Sequence, residues 1–318
     1  MTKPIMFAVI GDPIEHSISP LLHAAVFSRV GAAAAYERVH VRPDGLNAFV
    51  QGLRTGPYCG VNVTIPHKAA IVPLLDGLRG DALFAGAVNT VVRESAGGAV
   101  NTVVREGAGA GGAVREGARL FGYNTDMEGL SRAVRGCGYD YAGSVVCVYG
   151  TGGAALGAAA KAASCGAKEV RIVGRGAEKT GRVAERARAA GAAKITVFGT
   201  KQASDAVSGA DIMIHATPLG MKGYGADFEG LAFLAALPPH ALVYDCVYTP
   251  AETALARAAR ARGLSAETGL SMLVWQGLIS DTLFLRAAGF EYGDAEILTE
   301  QIFKSVYNIL EKELNAKG

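Results

Sequence analysis

The sequence predicts an α/β protein made of two parallel-sheet units, and three observations carry that reading. One is the turn Gly150-Thr-Gly-Gly-Ala-Ala155, spaced G-x-G-x-x-A, between the apolar run Val145-Val-Cys-Val-Tyr149 and an alanine-rich helical stretch. Another is a strand–helix rhythm that occurs twice along the chain. The third is a helical tail, in which two long patterns near 270–287 and 295–314 run without further strands. This tail is expected to pack back on the first unit.

In the first series, Met6–Ile10 is an apolar run stopped by Gly11-Asp-Pro13, and Ser19-Pro20 supplies a helix cap followed by a first helical residue. Strand Tyr36–Val41, a helix near Leu46–Leu53, strand Gly60–Val63 and a helix from His67 follow. The second series places strands at Val145–Tyr149, Val170–Val173, Ile195–Phe198, Asp211–Ile214 and Leu242–Tyr244, separated by Ala/Arg-rich helical stretches. One segment breaks the order. Gly86-Ala-Val-Asn-Thr-Val-Val-Arg-Glu94 recurs as Gly98-Ala-Val-Asn-Thr-Val-Val-Arg-Glu106, and Gly112-Ala-Val-Arg-Glu116 repeats its ends. Such Gly/Ala-rich sequence buries too little surface to offset ordering, so a tandem expansion forming an extended, mobile hairpin loop is expected.

With 318 residues, the chain suits two domains with real cores. Its formal charge is only +2 and no basic stripe with interleaved aromatics occurs, which argues against nucleic-acid and anionic-membrane partners and for small molecules. Cys59, Cys137, Cys147, Cys165 and Cys246 are odd in number and lack C-x-x-C spacing, so neither a disulfide framework nor a zinc site is expected. No metal is expected, and a reducing cytoplasm fits. Ile5–Ile10 is too short for a signal core, and no stretch reaches membrane-spanning length without glycine or charge, so a soluble, untargeted chain is expected.

The glycine turn points to a dinucleotide. Gly150 permits the tight turn, Gly152 lets backbone N–H groups approach a pyrophosphate, and Ala155 lets helix pack on strand. After the next strand, an NAD-specific fold would place an acid for the ribose 2′-hydroxyl; here Arg175 stands there, with Lys179 one turn on. A guanidinium suits a 2′-phosphate, so NADP is favoured.

Polar clusters mark the first unit. Ser17 and Ser19 flank a helix start, and with its free N–H groups they form a site for a carboxylate. Asn62-Val-Thr64-Ile-Pro66-His-Lys68 sets polar side chains at the carboxyl end of a strand, where open α/β sheets bind ligands. Lys68 falls in the first turn of the next helix, a position from which it exchanges protons with a ligand. In Asn124-Thr125-Asp126, Thr125 is read as a helix cap and Asp126 as a partner for a substrate hydroxyl.

Gly11-Asp-Pro-Ile-Glu-His-Ser-Ile-Ser-Pro20, Gly60-Val-Asn-Val-Thr-Ile-Pro-His-Lys68, Gly86-Ala-Val-Asn-Thr90, Gly122-Tyr-Asn-Thr-Asp126, Gly150-Thr-Gly-Gly-Ala154, Ala216-Thr-Pro-Leu-Gly-Met221 and Gly269-Leu-Ser-Met-Leu273 together, and in this order, resemble the shikimate dehydrogenase family. The resemblance covers nearly the whole chain. It implies a substrate domain of residues 1–125 plus 269–318, a Rossmann-type NADP-binding domain of residues 126–268, and a cleft between them. The implied reaction is the reversible NADPH-dependent reduction of 3-dehydroshikimate to shikimate in aromatic amino acid biosynthesis, by a monomer or homodimer. Ser17, Ser19 and Tyr248 would bind the carboxylate; Thr64, Asn89, Asp126 and Gln276 would hold the ring hydroxyls. Lys68 and Asp126 would form the catalytic pair, Lys68 protonating the developing alkoxide. Gly150, Thr151, Gly152, Gly153, Ala154, Arg175, Lys179, Thr217, Met221 and Gly269 would bind the cofactor.

Asn89 is preferred to its repeat copy Asn101 because its distance from Lys68 matches the family's gap, which puts the inserted residues at about 93–115. Three departures stand out: His215 replaces the usual Asn, Gly174 and Gly176 flank Arg175 where Asn and Thr are common, and Ser271 replaces a glycine. Two other functions share many of these features. A quinate or quinate/shikimate dehydrogenase would use the same fold with NAD or NADP, although the double serine leans toward shikimate. A non-catalytic NADP-binding regulator would have no need to retain Lys68 and Asp126.

Overall fold

A computed structural model of the chain describes residues 4–94, 105–106, 118–290, 297 and 299–317. It has two compact units, one of Met1–Thr125 with Val274–Leu310 and the other of Asp126–Leu273 with Glu311–Gly318.

The first unit holds β1 (Ile5–Gly11), α1 (Ser19–Val30), β2 (Ala34–His40), α2 (Leu46–Leu53), β3 (Tyr58–Val63), α3 (His67–Ala70), β4 (Gly77–Leu78), α4 (Ala82–Ala85), β5 (Thr90–Glu94), β6 (Arg105–Glu106) and β7 (Arg119–Tyr123). Its sheet runs β2-β1-β3-β5-β7-β4-β6. The expected parallel pairing holds for β1 with β2 and with β3. It fails at β5, which lies antiparallel between β3 and β7, with Val91 opposite both Val61 and Gly122. Between β3 and β5 the chain passes through α3, β4 and α4, with β4 pairing parallel to β7 at the far side of β5.

Of the expected insertion at about 93–115, residues 95–104 and 107–115 lie outside the described residues, Asn101 among them. Arg93 and Glu94 instead extend β5, where Glu94 pairs with Arg119, and β6 pairs with β4. Two buried arginines fasten the neighbouring chain. Arg79 grips Glu94 with two hydrogen bonds (2.5 and 2.9 Å) and lies over the Phe121 ring. Arg54 grips Asp76 (2.6 and 3.2 Å) and donates to the Ala118 carbonyl. Fork-to-fork pairs of this kind are strong because both charges and geometry match.

The C-terminal helices α10 (Leu270–Ala287) and α11 (Glu300–Lys317) belong largely to this unit. On α10, Phe284 stacks on Phe7 of β1 at 4.8 Å, both fully buried. The contact depends on Gly60, where an added Cβ would come within 2.6 Å of the Phe284 ring.

The second unit holds α5 (Thr125–Gly136), which begins at the boundary, β8 (Val145–Tyr149), α6 (Gly153–Ser164), β9 (Glu169–Gly174), α7 (Ala177–Ala190), β10 (Lys194–Gly199), α8 (Ala203–Val207), β11 (Ile212–His215), β12 (Leu242–Asp245), α9 (Ala254–Ala261) and β13 (Ser265–Thr268). Its sheet, β10-β9-β8-β11-β12-β13, is parallel throughout. Strands β11 and β12 are buried at every residue, as central parallel strands covered on both faces must be. The order reverses between β8 and β11, which opens a crevice at the carboxyl ends of those strands. Among the described residues no helix is long and apolar enough to cross a membrane.

Two consequences are measurable. Phe284→Ala leaves a cavity beneath β1 and β3 and is expected to cost about 3–5 kcal/mol, read as a lowered urea midpoint. Glu169 gives a pH signature. Burial disfavours its charge, but hydrogen bonds from Thr196 (2.6 Å), Arg171 and Lys194 outweigh that and hold it at about 2, below the ordinary 4.5. Because the folded value is the lower one, its stabilisation is complete above pH 4.5 and is lost as pH falls toward 2. The urea midpoints of the parent and Glu169→Gln should therefore differ near neutrality and converge in acid.

Candidate functional site

In the first unit the site is built where β1 and β3 end and β5 begins. Helix α1 begins at Ser19 with Ile18 as its cap residue, so Ser19 is the first helical residue and not the cap expected from sequence. The oxygen that serves this helix end is Ser17 Oγ, which accepts the Ser19 N–H at 3.3 Å. Ser17 is itself held by Arg38, whose Nε and Nη2 both donate to its carbonyl (2.8 and 2.6 Å). Arg38 escaped the sequence reading because its role depends on the β1–β2 pairing.

Thr64 follows β3 and passes close to Gly11, where an added Cβ would come within 2.5 Å of the Thr64 methyl. Lys68 is half-buried on α3, and its carbonyl accepts the Val88 N–H at 2.7 Å. That bond ties the lysine's turn to the residue before Asn89. Asn89 is in turn fixed through its backbone, its N–H donating to Tyr123 and its carbonyl accepting from Val63 (3.1 and 2.8 Å).

The Asn89 side chain is 3% exposed and ends in a polar cluster. Its Oδ1 accepts the Thr125 N–H at 2.7 Å, while Nδ2 donates to Thr125 Oγ1 (2.9 Å) and Gln276 Oε1 (3.3 Å). Thr125, expected to cap the next helix, is instead the first residue of α5, and the cap to its N–H comes from Asn89. Asn89, Thr125 and Gln276 thus meet in one cluster, and Thr64 and Lys68 belong to the same unit. Asp126, the next residue of α5, and Tyr248, whose phenol burial pushes up, belong to the second unit.

In that unit a cavity of about 670 Å³ lies over the glycine turn, lined by Gly150, Thr151, Gly152, Arg175, Lys179 and Thr217 among others. Gly150 sits at φ +139°, and a Cβ there would come within 2.6 Å of the Ala216 carbonyl oxygen, so only glycine makes this turn beside β11. Gly153 and Ala154 open α6. Gly174, one of the departures from the family pattern, faces the methyls of Thr151 and Thr180, which a Cβ would meet at 2.4 and 2.6 Å. Met221 and Gly269 do not line this cavity: Met221 is exposed in the turn beyond it, and Gly269 packs against the Cys246 backbone.

Sequence reasoning missed two cations on the cavity wall, Arg182 and Lys201. Arg182 lies one turn beyond Lys179. Lys201 follows β10, the neighbour of β9, and the rule that ligands meet the carboxyl edge of a parallel sheet would have found it. Arg175, Lys179 and Lys201 have no ion pair among the described residues, and they line the cavity together with Asp227 and Glu229. Glycines that admit a backbone-hugging ligand and cations that await an anion fit a 2′-phosphorylated dinucleotide.

Known proteins agree with this layout. Residues 9–91 match the model of the shikimate dehydrogenase substrate-binding domain. The NADP(+) shikimate dehydrogenase of Citrifermentans bemidjiense is 40% identical over 283 residues, covering 86% of this chain and 88% of its own. The structure of shikimate 5-dehydrogenase from Listeria monocytogenes in complex with shikimate and NAD is 29% identical with a TM-score of 0.76, covering 90% of this chain and 93% of that one. The Thermus thermophilus enzyme in complex with NADP(H) and shikimate is 27% identical with a TM-score of 0.72, covering 96% and 99%. The chain belongs to the shikimate dehydrogenase family.

Proposed function

We propose that the chain catalyses the reversible, NADP-dependent interconversion of 3-dehydroshikimate and shikimate in aromatic amino acid biosynthesis. The observation that carries the reading is the 2.7 Å bond from Val88 N–H to the Lys68 carbonyl, which fixes a half-buried lysine beside the Asn89–Thr125–Gln276 cluster. One proton-transfer group next to several hydroxyl-binding groups is what a polyhydroxylated ring with a reactive carbonyl requires. Supporting it, the relatives of this chain are NADP(+) shikimate dehydrogenases.

In this reading residues 1–125 and 269–318 bind substrate and residues 126–268 bind NADP. Ser17, Ser19 and Tyr248 hold the substrate carboxylate, with Ser17 anchored by Arg38. Thr64, Asn89, Asp126 and Gln276 hold the ring hydroxyls. Arg175 and Lys179, joined by Lys201, hold the cofactor's 2′-phosphate, and the glycine turn with Thr217, Met221 and Gly269 holds the rest. Bound NADPH supplies a hydride to the carbonyl carbon. The electron pair of the C=O bond moves onto oxygen, and the Lys68 ammonium delivers a proton to that oxygen, with Asp126 orienting the group through a hydrogen bond. In the reverse direction Lys68 accepts the hydroxyl proton as hydride leaves the carbon. The same pair thus serves both directions, as general acid and then general base.

Lys68→Ala is expected to lower kcat by about 10²–10⁴ while the NADP+ dissociation constant stays within a few-fold. The test is the initial rate of nicotinamide reduction with shikimate or quinate and with NADP or NAD. Fast quinate turnover or an NAD preference would transfer the assignment to the sister reaction, and an unaffected rate in Lys68→Ala would remove the lysine from the mechanism. Charge-assisted hydrogen bonds are worth about 1.5–3 kcal/mol, so Arg175→Ser and Lys201→Ser should each weaken NADP+ roughly ten- to hundredfold. Binding of NAD+ should barely change; equal losses for the two nucleotides would contradict a 2′-phosphate role.

A further inference from the structure

His215 and Asp245 end the adjacent strands β11 and β12, directly opposite each other in register. Both are buried, His215 completely. Asp245 Oδ1 accepts the Val247 N–H (3.0 Å) and lies 2.8 Å from His215 Nδ1, and Oδ2 accepts the Thr253 hydroxyl (2.7 Å). Thr253 donates to Oδ2 while its own oxygen accepts the Ala256 N–H that caps α9. A carboxylate surrounded by donors acts only as an acceptor, so the imidazole hydrogen sits on Nδ1. In its neutral form the ring then has a single acceptor, Nε2, and Thr217 Oγ1 lies 2.5 Å from it. The Thr217 hydrogen is thereby committed to His215. Its oxygen accepts the Leu219 N–H at 3.2 Å and keeps one lone pair that no other donor among the described residues reaches.

Thr217 lines the dinucleotide cavity. Strand order fixes which part. Strand β8, with the glycine turn, lies between β9, which leads to Arg175, and β11, which leads to Thr217. With the 2′-phosphate on the β9 side and the pyrophosphate over the turn, the β11 side is left for the nicotinamide riboside half.

We propose that Asp245 and His215 are positioning residues that lock the Thr217 hydroxyl as a hydrogen-bond acceptor for a donor group on the nicotinamide riboside half of the cofactor. The inference rests on the NADP reading of the cavity. Two donors share this chemistry, the carboxamide N–H and a ribose hydroxyl. The residue type at 215 matters because an asparagine reaches no farther than the Nδ1 position of the ring. It keeps the contact to Asp245 and drops the one to Thr217.

The test is calorimetric binding of NADP+, its 3-acetylpyridine analogue and adenosine 2′,5′-bisphosphate to the full chain and to Thr217→Val, Thr217→Ser, His215→Asn and the Val/Asn double variant. One hydrogen bond predicts that Thr217→Val and His215→Asn each weaken NADP+ about three- to tenfold. The double variant should be no weaker than the poorer single, Thr217→Ser should bind like the parent, and the bisphosphate should be unaffected throughout. On the analogue, which lacks the amide N–H, a vanished penalty identifies the carboxamide as donor and a persistent one identifies the ribose hydroxyl. Additive losses, or equal losses for the bisphosphate, would show a general packing role and overturn the proposal. Failure of the parent chain to bind the bisphosphate would overturn the NADP reading itself, an outcome separate from unaltered NADP+ binding by the variants.

Discussion

The first unit depends on a single buried amide, Asn62, at the place where its sheet turns from parallel to antiparallel. The Asn62 Nδ2 group lies within hydrogen-bonding distance of the Asn89 carbonyl (3.2 Å), Thr90 Oγ1 (3.0 Å) and Ser280 Oγ (3.0 Å), while Oδ1 accepts from Tyr36 at 2.7 Å. It thereby joins β2, β3, β5 and α10. Each of these groups is buried or nearly so, and leaving one unsatisfied would cost about 1–3 kcal/mol, so few other arrangements of strand and helix survive. Asn89 and Gln276 meet because this bonding brings the start of β5 and the middle of α10 up beside the carboxyl end of β3.

In the second unit the corresponding constraint is steric. A ligand that lies against backbone needs the chain to be bare at the turn, and Gly150 is bare because β11 leaves no room for a Cβ beside Ala216. Alanines fill the buried face of α6, which lets the helix sit close above β8 and β9 and aim its first N–H groups at the turn. The cations Arg175 and Lys201 stand beyond β9 and β10 on the wall of the same cavity.

The local parts of this design were legible in the sequence. Strand–glycine turn–helix is a contiguous pattern, and so are Ser17–Ser19 and Thr64–Lys68, because each site is made where one strand ends and its own helix begins. What escaped was everything set by pairing between distant segments. Strand β5 lies in the first copy of a repeat, whose near-identical second copy hid both it and its partner β7. Strand β13 is a short edge strand with the polar sequence Ser265-Ala-Glu-Thr268, which offers no apolar run to read. Lys201 and Arg38 acquire their roles only through strand order, which fixes Lys201 beside β9 and Arg38 beside β1. The two helix caps were misplaced for a related reason: Thr125 receives its cap from Asn89, distant in sequence, and Ser19 receives its from Ser17, one residue before the cap position.

The three departures from the family pattern all fall within Asp126–Leu273, and each meets a neighbour that makes sense of it. Gly174 leaves space for the Thr151 and Thr180 methyls, Ser271 shares a hydrogen bond with the buried Tyr244 hydroxyl at 2.9 Å, and His215 bridges Asp245 to Thr217. A substitution that changes a buried hydrogen-bonding group without changing its partners leaves a polar atom stranded, so such sites vary as sets. The first unit shows the same coupling at Asn89, whose Oδ1 accepts the first N–H of α5 while Nδ2 donates to Thr125 Oγ1 and Gln276 Oε1, so an apolar replacement would strand the helix end and the cluster together. Lys68 differs, because it holds Val88 through its backbone carbonyl and keeps that tie whatever its side chain.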